Sequence, residues 1–249
     1  TADFNTMTEA VKQKVEKLED IASERKVFID NMTHEMKTPL TSIIGFSDLL
    51  RSARLDDETV HDYAESIYKE GKYLKSISSK LMDLILLRQK PEMTEIDVPR
   101  LVEEIDESVR PIASSRQVAF SAASVEAKLV CDRELIKSLL YNLIDNAVKA
   151  SQPGTCVTLN AYFTQDGVME FSVADQGSGI PKEELDKIFE PFYRVDKARS
   201  RKYGGAGLGL ALCMEIAHAH AATLEIESEV GRGTVIRLRF DGKGKGSVL

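Results

Sequence analysis

The N-terminal part of the chain carries apolar residues at helical spacing. Between Thr6 and Arg51 no glycine occurs before Gly45 and there is a single proline, which is typical of one long helix. The seam follows spacings of four and three, with one step of seven between Ala22 and Ile29, and consists of Val11, Val15, Leu18, Ala22, Ile29 and Met32. This seam is typical of a coiled coil or helical bundle. An ordinary amphipathic helix gives a similar pattern, but the length without caps favours a coiled coil that enters a bundle.

A polar turn and a second helix follow. Residues 52–58 carry aspartate at a position suited to an N-cap, so they predict a turn. A helix is predicted from Glu58 to Arg88, with a seam of Ile67, Gly71, Leu74, Ser78, Leu81, Ile85 and Arg88. Two such helices form a hairpin with too little core to stand alone. A homodimer is therefore predicted, because a four-helix bundle would bury both seams.

Beyond Lys90-Pro91-Glu92, which predicts a domain boundary, helices alternate with strands. The predicted helices are 99–115, 133–150 (after an N-cap at Asp132) and 208–219, and the predicted strands are 118–122, 128–131, 156–164, 168–174, 223–228 and 233–240. Asp166-Gly167 is a hairpin signal. The predicted fold class is α+β, with a dimeric four-helix bundle followed by an α/β sandwich in which helices cover one face of a mixed sheet.

Composition and charge narrow the possible functions. The net charge of −7 argues against broad nucleic-acid binding, which requires a basic face. The longest apolar stretch, near residues 84–87, is too short to span a bilayer. Cys131, Cys156 and Cys213 lie far apart without metal-type spacing, which favours a reduced, cytosolic setting. Because the chain has neither an initiator methionine nor a signal peptide, we expect an excised fragment of a longer protein.

Residues 28–40 hold a candidate nucleophile. His34 lies beside Glu35, and Thr38 falls one helical turn further along the same face. Pro39 cannot donate to the carbonyl of Glu35, so a bend is predicted beside His34. An imidazole can act as a nucleophile, a base or a metal ligand near neutral pH. By itself, a helical histidine next to a glutamate is also the pattern of a solvated surface pair.

A second candidate lies on the helix predicted to end at Ala150. Asn142 and Asn146 are four residues apart and share a helical face, with Lys149 about one turn further on. Their amides can offer oxygen to a hard cation, and the lysine can offer positive charge to phosphate. Helix capping, or a hydrogen bond to a neighbouring loop, would explain the same residues.

Two glycine-rich stretches complete the candidates. Asp175-Gln176-Gly177-Ser178-Gly179 follows a predicted strand, and its glycines permit close approach of the backbone to a ligand. Residues 204–210 open a helix, whose N–H groups can receive phosphate. They lack the lysine of a Walker loop and the leading strand of a dinucleotide fingerprint. The basic stretch 194–203 is predicted to form a mobile lid, and residues 242–249 a disordered tail.

Together these motifs resemble the cytoplasmic core of a two-component sensor histidine kinase. The matching blocks, in family order, are the phosphoacceptor block His34–Leu40, the asparagine block Asn142–Lys149, the first glycine block Asp175-x-Gly177-x-Gly179, the phenylalanine block Phe189–Arg194, the second glycine block Gly205-x-Gly207-Leu208-Gly209, and Gly231-Arg232-Gly233-Thr234. They span nearly the whole chain, and several ordered blocks leave little room for coincidence.

The resemblance implies roles in phosphoryl transfer. His34 would take the γ-phosphoryl group of ATP, and Glu35 would orient or deprotonate its imidazole. Thr38 would align water for dephosphorylating a partner response regulator, whose receiver domain carries a phosphorylatable aspartate. The N-terminal seam resembles the end of a membrane-proximal signalling helix, so the chain is expected to be the cytoplasmic portion of a membrane-embedded receptor. The implied domains are a signalling helix (1–25), a dimerisation and phosphotransfer hairpin (26–91), an ATP-binding domain (92–241) and a tail (242–249).

The resemblance also implies a nucleotide site. Asp175 would bind the adenine amino group, and Asn146 with Asn142 would hold Mg²⁺ against the phosphates. The other implied nucleotide-binding residues are Lys149, Gly177, Gly179, Tyr193, Arg194, Gly205, Gly207, Leu208, Gly209 and Thr234.

Two alternatives remain open. The first is a related ATPase of the GHKL superfamily, of the chaperone, topoisomerase or mismatch-repair type. Those enzymes resemble one another in placing a glutamate four residues before the Mg-binding asparagine, where it activates water. Here that position is Asn142, so hydrolysis of ATP is expected to be poor, and transfer of the γ-phosphoryl group to His34 is the expected reaction. The second is a non-catalytic dimeric scaffold, against which the intact blocks argue.

Overall fold

The computed structural model describes residues 2–86, 91–195 and 206–240. Its helices are α1 (Ala2–Ser52), α2 (Asp57–Leu86), α3 (Val98–Ser115), α4 (Arg133–Ala150) and α5 (Gly209–Ala219), with a 3-10 turn at Lys182–Glu184. Its strands are β1 (Thr94–Asp97), β2 (Ala119–Ser124), β3 (Lys128–Cys131), β4 (Cys156–Phe163), β5 (Met169–Ala174), β6 (Thr223–Glu229) and β7 (Gly233–Arg239). The chain divides into two compact units, Thr1–Ser76 and Ile77–Leu249.

The first unit contains a helical hairpin, as predicted. Helix α1 continues through Pro39, which is buried. Asp56 caps α2, since its Oδ1 accepts a hydrogen bond of 2.9 Å from the Thr59 N–H and its Oδ2 another of 2.9 Å from the Thr59 hydroxyl. Across the hairpin the rings of Phe46 and Tyr63 pack with centroids 5.1 Å apart. The bend predicted beside His34 stays a prediction.

The second unit is built on a five-stranded mixed sheet of order β2-β4-β5-β7-β6. Strand β2 runs parallel to β4, and the other neighbours are antiparallel. Each helix and strand predicted for this unit is confirmed to within two residues at either end. Strand β1 was not predicted, and it pairs antiparallel with β3 in a separate two-stranded sheet.

Helices α3, α4 and α5 cover one face of the sheet. The core is formed by alternate strand residues such as Leu159, Phe171 and Leu238 together with apolar residues of the three helices. The opposite face is polar and carries the buried Glu170. The hydroxyl of Tyr162 donates a hydrogen bond to the Glu170 carboxylate, and Nε of Arg239 lies 3.7 Å from the same carboxylate. The hairpin and this layered mixed sheet confirm the predicted α+β class. Among the described residues, none of the helices is long and apolar enough to cross a bilayer.

The start of α4 is fixed by capping and by a buried imidazole. Oδ1 of Asp132 accepts a hydrogen bond of 3.2 Å from the N–H of Leu135, which confirms the predicted N-cap. The backbone N–H of Asp132 donates to Nε2 of His220 at 3.0 Å, so the ring proton lies on Nδ1, 2.8 Å from the carbonyl of Ile216. These contacts tie the start of α4 to the end of α5. They orient the helix that carries Asn142 and Asn146 on one side, called the asparagine face.

Candidate active site

Helix α1 presents the candidate nucleophile to solvent. The side chain of His34 is exposed, and Oγ1 of Thr38 donates a hydrogen bond of 3.3 Å to the His34 carbonyl. Glu35 is half-buried and accepts a hydrogen bond of 2.6 Å at Oε2 from the hydroxyl of Tyr73 on α2. The three predicted catalytic residues thus share one stretch of α1, and the hairpin adds Tyr73, which the sequence did not indicate.

The second half of α4 carries the asparagine face. Nδ2 of Asn142 donates to the carbonyl of Ser138 at 2.9 Å, which leaves its oxygen pointing away from the helix backbone. A Cβ added to Gly209 would lie 3.2 Å from Oδ1 of Asn142 and 3.7 Å from Nδ2 of Asn146. The glycine at the start of α5 therefore lets that helix N-terminus approach both amides. Lys149 pairs with Asp145 at 2.6 Å, one turn back on the same helix.

Lys80 supplies a cation to this face. Its Nζ donates a hydrogen bond of 3.0 Å to Oδ1 of Asn142 and would lie 3.4 Å from a Cβ at Gly209. Burial lowers the pKa of the Lys80 ammonium, and the positive charge of Lys149 lowers it further. No pattern in the sequence marks Lys80, because the contact joins residues 62 positions apart.

A cleft of about 420 Å³ adjoins the asparagine face. It is lined by Lys80, Glu134, Lys137, Ser138, Tyr141, Asn142 and Asp145. Asp175 does not line it, so the cleft lies beside the predicted metal ligand and not at the predicted adenine position.

The turn after β5 holds a half-buried carboxylate. Oδ1 of Asp175 accepts hydrogen bonds from the N–H of Gly177 at 2.8 Å and the N–H of Thr234 at 3.3 Å. Burial raises the pKa of Asp175 above its usual range, although both N–H donors oppose the shift. One carboxylate oxygen is thus held by the backbone, and the other can accept from a ligand amine.

Glycines let the chain pack closely around this turn. A Cβ at Gly177 would lie 2.6 Å from the carbonyl of Ala150, at the end of α4, and the N–H of Ser178 donates to that carbonyl at 3.3 Å. A Cβ at Gly179, whose φ is +65°, would lie 2.0 Å from the carbonyl of Glu229. The carboxylate turn and the asparagine face are therefore joined at the C-terminus of α4.

Ser228 organises the strand ends beside Asp175. Its Oγ accepts a hydrogen bond of 2.8 Å from the N–H of Ile180 and lies 2.9 Å from the hydroxyl of the buried Thr234. The backbone N–H of Asp175 donates to the carbonyl of Thr234 at 2.9 Å. Thr234, a predicted site residue, therefore contacts Asp175 directly. Ser228 was missed because nothing in β6 distinguishes it from any exposed strand serine.

The described residues of the second glycine block approach the phenylalanine block. Gly207 has a φ of +69°, and a Cβ there would lie 2.7 Å from the carbonyl of Tyr193. Its carbonyl accepts a hydrogen bond of 2.8 Å from the N–H of the buried Phe192. Leu208 is fully buried, so only its backbone can face a ligand. Arg194 is half-buried at the end of this stretch.

Several sequence predictions fall outside the described residues, among them the end of the second predicted helix at Arg88 and Lys90 of the predicted domain boundary. Gly205 lies there, as do most of the predicted lid (196–203) and the predicted tail (242–249).

The chemistry of the site residues suits Mg²⁺ and ATP. The described residues contain no group of three or more His, Cys, Asp or Glu side chains that could hold a metal. Magnesium is commonly bound by one or two protein oxygens, waters and substrate phosphates, so the amide oxygens of Asn142 and Asn146 suit this donor set. The half-buried carboxylate acceptor of Asp175 suits an adenine amine, and the α5 N-terminus suits phosphate. The residues present fit both groups.

Two family models match the chain. Residues 24–89 match the His Kinase A (phospho-acceptor) domain, and residues 131–244 match the histidine kinase-, DNA gyrase B- and HSP90-like ATPase. The first match contains His34, Glu35 and Thr38. The second contains all the predicted nucleotide-binding residues.

Individual relatives agree with these matches. The sensor-like histidine kinase SenX3 of Mycolicibacterium smegmatis is 32% identical over 185 residues, covering 73% of this chain and 48% of the relative. The sensor histidine kinase YkoH of Bacillus subtilis is 31% identical over 240 residues, covering 95% of this chain and 50% of the relative. The crystal structure of the histidine kinase ThkA in complex with the response regulator protein TrrA has a TM-score of 0.71 at 22% identity, covering 90% of this chain and 65% of that chain, and it supports the fold. The chain spans about half the length of these curated relatives.

Proposed function

Because the chain belongs to the sensor histidine kinase family, we propose that it transfers the γ-phosphoryl group of Mg-ATP to His34. Asn142 carries this proposal. It faces the N-terminus of α5 through Gly209, and its amide has no basic group with which to activate water. A nucleotide bound there would need a nucleophile from elsewhere, and the exposed imidazole of His34 provides one.

We infer that different residues of the site contact the adenine and the phosphates of the nucleotide. Asp175 accepts a hydrogen bond from the adenine amine, while Gly177 and Gly179 keep the backbone close to the base. Lys149 and the N–H groups at the start of α5 bind phosphate oxygens. Tyr193, Arg194, Gly205, Gly207 and Leu208 border the phosphates, and Thr234 fixes Asp175 through its N–H.

Asn142 and Asn146 are proposed to hold Mg²⁺. When bound, the metal offsets charge that develops on the phosphate oxygens. The asparagines contribute two amides on one helical face, with Oδ1 of Asn142 and Nδ2 of Asn146 next to the α5 N-terminus. At Asn142 the metal would compete with the ammonium of Lys80, which donates to the same oxygen.

We further propose that the phosphoryl group passes from His34 to an aspartate of a response regulator, and that Thr38 assists its later hydrolysis. The complex of ThkA with a response regulator supports this partner class. A homodimer is proposed because Ile29, Leu40 and Ile44 on α1 are more than half exposed in the single chain. We also propose that this chain is a portion of a membrane-embedded protein and that this portion lies in the cytoplasm.

The test is to incubate the chain with γ-labelled ATP and Mg²⁺ and to measure acid-labile, base-stable label. Label is expected in the parent protein and absent from His34→Ala. His61→Ala is the matched control, because His61 is also exposed on the hairpin. Label that survives in His34→Ala would place the acceptor elsewhere. ATP hydrolysis without any protein label would favour the related ATPase instead.

A further inference from the structure

Glu35 is joined across the hairpin to Tyr73. The Tyr73 hydroxyl donates a hydrogen bond of 2.6 Å to Oε2 of Glu35. Only 9% of Tyr73 is exposed, whereas His34, the neighbour of Glu35 on α1, is exposed. Glu35 therefore binds a buried donor on α2 and directly follows the solvent-facing candidate nucleophile in the sequence of α1.

We propose that Tyr73 is a positioning residue for phosphorylation of His34, an inference that rests on the proposed function. A glutamate side chain loses rotamer freedom when it is held in one orientation. A tyrosine ring buried in the hairpin is already fixed by packing, so its hydroxyl can hold one carboxylate oxygen in place. A carboxylate has two oxygens with about four acceptor sites, so Glu35 can accept from Tyr73 and from an imidazole together.

The phosphoryl step defines what Glu35 has to do. One imidazole nitrogen of His34 forms a bond to the γ-phosphorus, and the bond from that phosphorus to the bridging oxygen breaks. The electron pair of the broken bond leaves on ADP. The other ring nitrogen gives up its proton to the carboxylate of Glu35, so the phosphorylated ring ends neutral. A carboxylate held in place accepts this proton without a prior rotamer search.

A purely structural role would also satisfy the Tyr73 hydroxyl, because buried tyrosines normally find a hydrogen-bond partner. The two roles differ in what removal of the hydroxyl changes. Structural support alone predicts a lower melting temperature with an unchanged rate for the folded protein. Positioning predicts a slower phosphoryl step in a folded protein whose ATP affinity is unchanged.

The experiment measures autophosphorylation of the full chain in the parent, Tyr73→Phe, Glu35→Gln and the double variant, at a temperature where all four are folded. Tyr73→Phe is expected to lower kcat by about three- to tenfold and to leave KM for ATP within twofold. In the Glu35→Gln background it should cause no further loss, because Tyr73 acts through that carboxylate.

Tyr63→Phe is the matched control. Tyr63 lies on the same helix, and its ring packs against Phe46 at 5.1 Å, away from Glu35. An unchanged rate in Tyr63→Phe and a non-additive cycle would support the positioning role. Equal rates in parent and Tyr73→Phe, an additive cycle, or an equal loss in Tyr63→Phe would overturn it. Absence of label from the parent protein would instead overturn the proposed function.

Discussion

The ammonium of Lys80 donates a hydrogen bond of 3.0 Å to the same amide oxygen of Asn142 that is proposed to hold Mg²⁺. A tethered cation and a metal ion therefore compete for one acceptor. The lowered pKa of Lys80 shows that its charge is penalised there by burial and by the neighbouring Lys149.

Lys80→Met should therefore ease metal binding. The Mg²⁺ concentration that gives half-maximal ATP binding is expected to fall about tenfold, since a hydrogen bond to a charged group contributes about 1.5 kcal/mol. It can be measured by titrating Mg²⁺ at fixed ATP. Lys137→Met is the control, because Lys137 lines the same cleft but pairs with Glu104 at 3.1 Å. A higher Mg²⁺ requirement in Lys80→Met would show that Lys80 assists the metal site.

Asp175→Asn should separate binding from stability. The amide keeps an oxygen for the N–H groups of Gly177 and Thr234 but replaces the acceptor proposed for adenine with a donor. ATP affinity is expected to fall by about 10- to 100-fold, equivalent to about 1.5–3 kcal/mol. The melting temperature should stay constant or rise, because a carboxylate penalised by burial is removed. Asp166→Asn, in an exposed turn, should change neither quantity, and a large loss of stability in Asp175→Asn would contradict this prediction.

Nucleotide binding should depend on the titration of Asp175. Burial raises the pKa of Asp175. As the pH falls, its carboxylate is therefore protonated, and stops accepting from the amine, at a higher pH than an ordinary aspartate would. The folded state binds this proton more tightly than the unfolded chain, so its contribution to stability is present at low pH and is lost as the pH rises through the folded pKa.

Calorimetric titration with adenosine tests the binding side of this prediction, because adenosine has no phosphates to titrate. Its affinity should fall on acidification. Purine riboside, which lacks the exocyclic amine, should show a flatter profile. Identical profiles for the two nucleosides would remove the Asp175–amine contact from the site.

Gly179→Ala should destabilise the second unit more than Gly154→Ala does. Both residues have positive φ, but only at Gly179 would a Cβ meet backbone, 2.0 Å from the carbonyl of Glu229; at Gly154 nothing lies within 4 Å. We expect a loss of about 1–2 kcal/mol at Gly154 from the dihedral angle alone. The loss at Gly179 should reach about 3 kcal/mol or more. Calorimetric unfolding of the full chain measures both, and equal losses would show that the Glu229 loop moves freely.

Thr38→Ala should impair regulator dephosphorylation more than His34 phosphorylation. The Thr38 hydroxyl lies one turn from His34 and bonds its carbonyl, so it can approach water beside the imidazole. We expect dephosphorylation to fall about tenfold or more, with the autophosphorylation rate within twofold of the parent. Thr41→Ala is the control, because Thr41 makes the same kind of bond, to the Lys37 carbonyl at 2.8 Å. Equal losses of both activities in Thr38→Ala would contradict the assignment.

Local interactions explain why most elements could be predicted. Asp132 caps α4 through an N–H three residues away, and Asp56 caps α2 in the same way. Strand β1 was missed because its four residues, Thr94–Asp97, carry one buried apolar side chain and gain their strand geometry only from pairing with β3. Periodicity reports what a segment presents to its neighbours, and four residues are too few to show it.

The sequence by itself determined the chemistry available to this protein. His34, Glu35 and Thr38 share one helix, Asn142 and Asn146 share another, and the glycines of the turns are readable because local geometry follows from local spacing. The tertiary structure alone decided which residues distant in the sequence form hydrogen bonds with one another in and around these motifs. Tyr73 reaches Glu35 across 38 positions, Lys80 reaches Asn142 across 62, and Ser228 reaches Ile180 across 48. Such pairs depend on the packing of separate elements, which no local pattern encodes.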